Sequence, residues 1–308
     1  MGSACVYNLG MQLIDSKLPR RSLLAMLPAL LSACSALDVL NATVATDTYV
    51  LTPGLSYGPS DRQKMDLYQP KAPAGAPGAS QTVPLVGFFY GGRWSTGERE
   101  GYRFVGEALA SRGIAVLVAD YRLSPAFRYP SFLQDSALAV RWAFDHAAQY
   151  GSSPSKVFVM GHSAGAYNAA MLALDKRWLA EVGLSPTALA GWIGLAGPYD
   201  FLPIKEPQTQ VAFNWPSTLA ESQPLAHMDE ITPSYPPALL LAPTADKVVD
   251  PQRSTATLAR QLASRGVRVE SALLEGVSHV TLVASLAWVL RGRAPVLDRI
   301  TAFVASVR

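Results

Sequence analysis

Cysteine is almost absent from this 308-residue chain: two occur, Cys5 and Cys34, both near the N-terminus. No C-x-x-C pair exists, which excludes a disulfide framework and a cysteine-built zinc site. An excess of one charge is missing too. Lys and Arg number 26 against 23 Asp and Glu, a formal net charge of +3, too small to argue for a nucleic-acid partner. Residues 1–33 hold Lys17, Arg20 and Arg21 against Asp15, and removing them leaves 23 basic against 22 acidic residues. The chain also lacks a long apolar run near its start: Leu23 to Leu31 falls far short of the roughly 20 residues a membrane-crossing helix needs. Histidine is scarce, at four, so any search for a catalytic base is short. What remains is 49% hydrophobic and 16% charged, the composition of a globular protein with one large domain or two small ones.

The N-terminal stretch "KLPRRSLLAMLPALLSAC" places a basic patch before an apolar run, which fits the h-region of a secretory signal. Its end, Leu31-Ser32-Ala33-Cys34, resembles a bacterial lipobox, in which the cysteine is lipidated and becomes the new N-terminus. The expectation is a signal peptide over 1–33, a lipid on Cys34, a short tether over 34–47 and export to the periplasmic face of a bacterial membrane. A plain signal peptide or a buried helix is the alternative. With Cys34 acylated and Cys5 removed, no free thiol is left to mispair in an oxidising compartment.

Two β-rich pieces, around Tyr49–Leu51 and Lys64–Tyr68, flank a Gly/Pro region and predict a hairpin. "KAPAGAPGASQ" reads as a surface loop. From Val83 onward, apolar runs of strand length recur at Leu85–Tyr90, Ile114–Ala119, Lys156–Met160, Gly191–Leu195, Ala238–Ala242 and Arg268–Leu274. Several lack polar alternation, as strands covered on both faces do. Helical stretches lie between them. Phe132–Tyr150 repeats apolar residues at the spacing of one helix face, and Asp250-Pro251 opens a helix that Gly266 stops. The alternation predicts a doubly wound, mostly parallel α/β sheet within 48–308. Residues 200–236 are Pro-rich and too long for a plain connection, so they read as a cap insertion.

Two segments match G-x-S-x-G: "GLSYG" around Ser56 and "GHSAG" around Ser163. A nucleophile elbow needs a strand, a sharp turn and then a helix, with small residues where strand and helix nearly touch. Ser163 has a buried strand before it and the helix former "AGAYNAAMLAL" after it. Ser56 has Pro53 before its motif and Pro59 after it. A serine hydroxyl needs a base. His162 adjoins the serine and points away from Oγ, His146 lies in a helix far from the strand ends, and His227 lies in the insertion. His279, in "LEGVSHVTL", follows the last strand in a loop at the carboxyl edge of the sheet, where open α/β sheets carry their sites. The carboxylate that orients it should follow the penultimate strand. Asp246 is favoured there over Asp250, which is accounted for as a helix cap. "FFYGGRW" supplies a turn, Gly91 to Trp94, whose amides, with that of Ala164, can face a developing oxyanion.

Taken together, "YGGRW", "GHSAG", "VADYRLSP", "YPSFLQDSALAVRWAFDHAAQYG" and "LAGPYD" resemble the α/β-hydrolase carboxylesterases with an H-G-G-x-W oxyanion turn. That group includes hormone-sensitive-lipase-like esterases, kynurenine formamidases and prenylcysteine-methylesterase-like proteins. The resemblance covers about residues 48–308. It implies a cofactor-free and metal-free acyl-enzyme mechanism on small-molecule esters, with Ser163, Asp246 and His279 as triad and the amides of Gly92, Arg93 and Ala164 as oxyanion donors. Trp94 is expected to wall the substrate pocket and the Arg93 guanidinium to reach its mouth. The departure is Tyr90, which stands where most members have His. An amidase, or a non-catalytic binding lipoprotein that keeps the fold, are the competing readings.

Overall fold

Apolar runs without polar alternation imply strands buried on both sides, and the core is built that way. The computed structural model describes residues 36–71 and 82–307. Its strands are β1 (Tyr49–Ser56), β2 (Lys64–Pro70), β3 (Leu85–Phe89), β4 (Ala115–Ala119), β5 (Val157–His162), β6 (Gly191–Leu195), β7 (Ala238–Pro243) and β8 (Val269–Leu274). They form one eight-stranded sheet in the order β1-β2-β4-β3-β5-β6-β7-β8. β2 runs antiparallel to β1 and β4, and the pairings from β4 through to β8 are parallel. β3 to β7 are buried along their whole length.

The helices used below are α1 (Ala36–Ala42), α2 (Arg103–Ala110), α3 (Ser131–His146), α4 (Ala164–Leu174), α5 (Lys176–Ala180), α6 (Pro207–Ala212), α7 (Thr257–Ser264), α8 (His279–Ala284) and α9 (Val296–Ser306). From β3 the chain crosses through α2 to β4, toward the β1 edge. From β4 it crosses back through α3 to β5. Parallel crossovers are right-handed almost without exception, and with that hand the reversal puts α3 on the opposite face from α2. α4 packs beside α3, and α9 beside α2. Adjacent strands β3 and β5 therefore send their connections to opposite faces, which opens a crevice at their carboxyl ends.

Three expectations change in detail. The hairpin forms, β1 pairing antiparallel with β2 and Gly58 and Pro59 lying in the connection, but Pro53 and Gly54 belong to β1, where a bulge between Thr52 and Leu55 absorbs them. Pro53 has no N–H to give, and Gly54 turns at φ +69 and donates its own N–H to Asp66 Oδ1 at 2.8 Å. Ser56 of the first G-x-S-x-G is thus an exposed strand end. The stretch read as a tether, 34–47, is helical at α1, and Asn41 bonds Glu100 O and the Phe104 amide at 3.0 and 3.2 Å. The helix after Asp250 begins with a π-wound turn, Gln252–Ala256, before α7. The segment 1–33, Cys34 and nearly all of the loop at 71–81 lie outside the described residues.

Candidate active site

β5 ends at His162 and α4 starts at Ala164, so Ser163 must reverse the chain in one residue. It does so at φ 54, ψ −119, a left-handed geometry that L-residues occupy only under constraint. The constraint is packing. A Cβ on Gly161 would lie 2.1 Å from Gly165 O, and one on Gly165 would lie 2.0 Å from Phe89 O. Strand and helix approach this closely only because both flanking residues are glycine. Ser163 N–H is tied to Leu195 O at 2.9 Å, which leaves the half-buried hydroxyl facing the crevice.

Ser163 Oγ lies 2.8 Å from His279 Nε2, and His279 Nδ1 lies 2.8 Å from Asp246 Oδ2. His279 is the first residue of α8 rather than a loop residue. Ser278 before it accepts from the Thr281 amide, and the Thr281 hydroxyl bonds the Ser278 amide in return, a capping box that fixes where the imidazole starts. The Asp246 side chain is fully buried. Burial opposes its ionisation, but the bonds from His279 and from the amides of Val248 and Val249 prevail and hold its carboxyl below the usual value. Asp250 faces the other way: its Oδ1 accepts the amides of Gln252 and Arg253 at 2.9 and 3.1 Å, as a helix cap does.

After β3, three successive residues have positive φ: Gly92 at 132, Arg93 at 54 and Trp94 at 57. The two non-glycines cost about 1–2 kcal/mol each. Gly92 O accepts the amides of Ser95 and Thr96, both at 3.0 Å, and Trp94 O accepts that of Ser124 at 2.8 Å. No acceptor among the described residues engages the amides of Gly92, Arg93 or Ala164. Trp94 is both wall and core. It is 2% exposed, bonds Asn168 Oδ1 through Nε1 at 3.0 Å, and packs on Phe213 and Tyr167. The Arg93 guanidinium stands at the pocket mouth, 3.8 Å from Glu206. The cleft at Ser163 has a volume of about 690 Å³ and is lined by apolar Trp94, Phe201 and Ile204 and by charged Asp200, Lys247 and Arg253. Asp200, read from sequence only as the start of the insertion, is bound bidentately by Arg253 in that lining.

Of the other histidines, His146 stacks on Trp142 and His227 bonds Glu221 O, both away from this site. His162 is different. Its Nε2–H donates to His279 O at 2.9 Å while its buried Nδ1 has no partner. This contact spans 117 positions, and no local signal announces it. No group of metal-binding side chains occurs among the described residues.

An open α/β sheet with a serine on a strained strand-to-helix turn, followed in chain order by an acid and a histidine in hydrogen-bond contact, defines an α/β hydrolase. The BD-FAE family profile matches residues 65–262, and the chain belongs to that family. It is 27% identical over 248 residues to a probable isoprenylcysteine alpha-carbonyl methylesterase of Arabidopsis thaliana, covering 73% of this chain and 50% of that protein. It is 38% identical over 111 residues to carboxylesterase NlhH of Mycobacterium tuberculosis, covering 36% and 34% of the two chains. The chain thus spans about half the length of the plant relative it matches. Among solved structures, esterase B from Lactobacillus rhamnosis shares the fold with a TM-score of 0.71 at 18% identity, covering 93% of this chain and 97% of that one. Esterase 2 of Thermogutta terrifontis does so with a TM-score of 0.66 at 22% identity, over 85% and 96%.

Proposed function

We propose that this chain is a serine carboxylesterase that cleaves small to medium esters through an acyl-enzyme. The observation that carries the reading is the unbroken relay Asp246–His279–Ser163, two contacts of 2.8 Å ending on a serine at an elbow. As Ser163 Oγ attacks the ester carbonyl carbon, His279 Nε2 takes the hydroxyl proton. The Asp246 carboxylate keeps Nδ1–H oriented and stabilises the imidazolium. The carbonyl electron pair moves onto oxygen, where the amides of Gly92, Arg93 and Ala164 receive it. Collapse expels the alcohol, which takes the proton from His279. Water, activated by the same nitrogen, then attacks the acyl-serine and releases the acid. The relatives are named as methylesterases and carboxylesterases, and a cleft of about 690 Å³ suits ligands of that size.

The test is hydrolysis of p-nitrophenyl esters from acetate upward, with an aryl formamide alongside to sort ester from amide preference. Ser163→Ala should lose about 10⁴-fold or more in kcat with its circular dichroism unchanged. Retention of activity within tenfold overturns the assignment.

We further propose that the protein is exported and carries a lipid on Cys34. The basic residues Lys17, Arg20 and Arg21, the run Leu23–Leu31 and the sequence Leu-Ser-Ala-Cys support this. Cells fed an alkyne fatty acid should label the wild type and leave Cys34→Ser unlabelled; label retained in the variant refutes it.

A further inference from the structure

The oxyanion turn leaves β3 at Tyr90 and finishes at Arg99, and one phenol ties these ends together. Tyr90 is fully buried. Its hydroxyl donates to Asp120 Oδ1 at 2.7 Å and accepts from Arg62 Nη2 at 2.5 Å. Both partners reach the far end of the same loop. Asp120 Oδ1 also accepts the Arg99 amide at 2.8 Å, and Arg62 Nη2 also donates to Gly97 O at 2.8 Å. The Arg99 side chain closes the set on Asp120 Oδ2 at 2.6 Å and on Asp66 Oδ1 at 2.9 Å. Gly97, at φ +109, lies flat on the ring, where a Cβ would stand 2.6 Å from Tyr90 Cε2. Tyr102 and Tyr121 stack on the ring at 5.3 and 4.9 Å, and the Tyr121 hydroxyl donates to Tyr90 O at 2.8 Å. Burial first, then Tyr121 and Asp120, push the phenol well above its ordinary value, so it remains an O–H donor.

Between these anchors sit the three residues with positive φ, whose strain needs an outside hold to persist. We propose that Tyr90 is a positioning residue for ester hydrolysis. Its hydroxyl, through Asp120 and Arg62, holds the exit of the turn so that the amides of Gly92 and Arg93 converge on the oxyanion. This rests on the esterase reading above. Both partners meet the hydroxyl at the tip of the phenol ring, the atom that Tyr90 adds here.

The test compares wild type with Tyr90→Phe, which keeps the ring and its stacking and removes only the hydroxyl. Active sites are titrated with a p-nitrophenyl phosphonate, so that kcat is expressed per competent site. The expected result is a titratable fraction equal to wild type, a kcat on p-nitrophenyl acetate lower by 10- to 100-fold, and a KM within threefold. Phosphonylation should slow in parallel, because the phosphoryl oxygen uses the same amides. A kcat per site within twofold of wild type, a loss carried by KM, or a loss accounted for by fewer titratable sites each overturns the proposal. Should Tyr90→Phe not fold, Arg62→Gln keeps the phenol and cuts the tie to Gly97 O, and it is read by the same criteria. A wild type that hydrolyses no ester and does not react with the phosphonate refutes the esterase reading instead.

Discussion

His162 shows what one buried side chain contributes beside the linked Asp246, His279 and Ser163. Its Nε2–H holds the His279 carbonyl, and burial, reinforced by the neighbouring His279, drives its pKa down to about 3. An unfolded histidine titrates near 6.5. Between those values the unfolded chain binds the extra proton and the folded one does not. Stability is therefore complete above about pH 6.5 and falls as the pH drops toward 3, by at most about 1.4 kcal/mol per pH unit from this group. Urea unfolding of wild type and His162→Gln from pH 7 to 4 should show the steeper acid loss in wild type. Equal slopes would mean that His162 is protonated in the folded protein. The sequence supplied the negative part of this result, that His162 is not the base. Its partner is 117 positions away and belongs to packing.

At the scale of elements, the strands were legible because burial on both faces leaves a plain mark: runs without alternation. Gly191–Leu195 matches its strand to the residue, and the other parallel strands differ by one or two positions at the ends. The elbow was legible for a related reason. Its steric demand falls on consecutive residues, so Gly161, Ser163 and Gly165 carry it openly. Edge elements read less well. β1 is half exposed and bulged, so its Gly/Pro pair looked like a turn, and only its pairing with β2 shows otherwise. α8 was missed as a helix because its capping box, Ser278 with Thr281, uses a threonine where the pattern expects Glu or Gln.

At the scale of the molecule, the insertion at 200–236 is welded to the core. Phe213, just past α6, is 1% exposed and packs against Trp94, Phe201, Phe132 and Tyr129. The same aromatic cluster holds Trp94, which lines the pocket next to Arg93. Phe213→Ala should therefore cost about 3–5 kcal/mol, measured as a lowered denaturant midpoint at unchanged slope. A cost under about 1 kcal/mol would show that the insertion is a separable lid.

By itself the sequence determined the doubly wound sheet, the serine to be placed at its crevice, and the short set of acids and histidines from which partners could come. These follow from hydrophobic periodicity and turn sterics, which act over neighbouring residues and are written in order. The sequence also favoured Asp246 over Asp250, because the place of Asp250 before Pro251 marked it as a helix cap, and the contacts agree. The tertiary structure alone decided that His162 braces His279 and that Tyr90 reaches Asp120 and Arg62. Each of those contacts joins residues well separated in the chain. Only the sheet's crossover geometry and close packing bring such groups within hydrogen-bond distance.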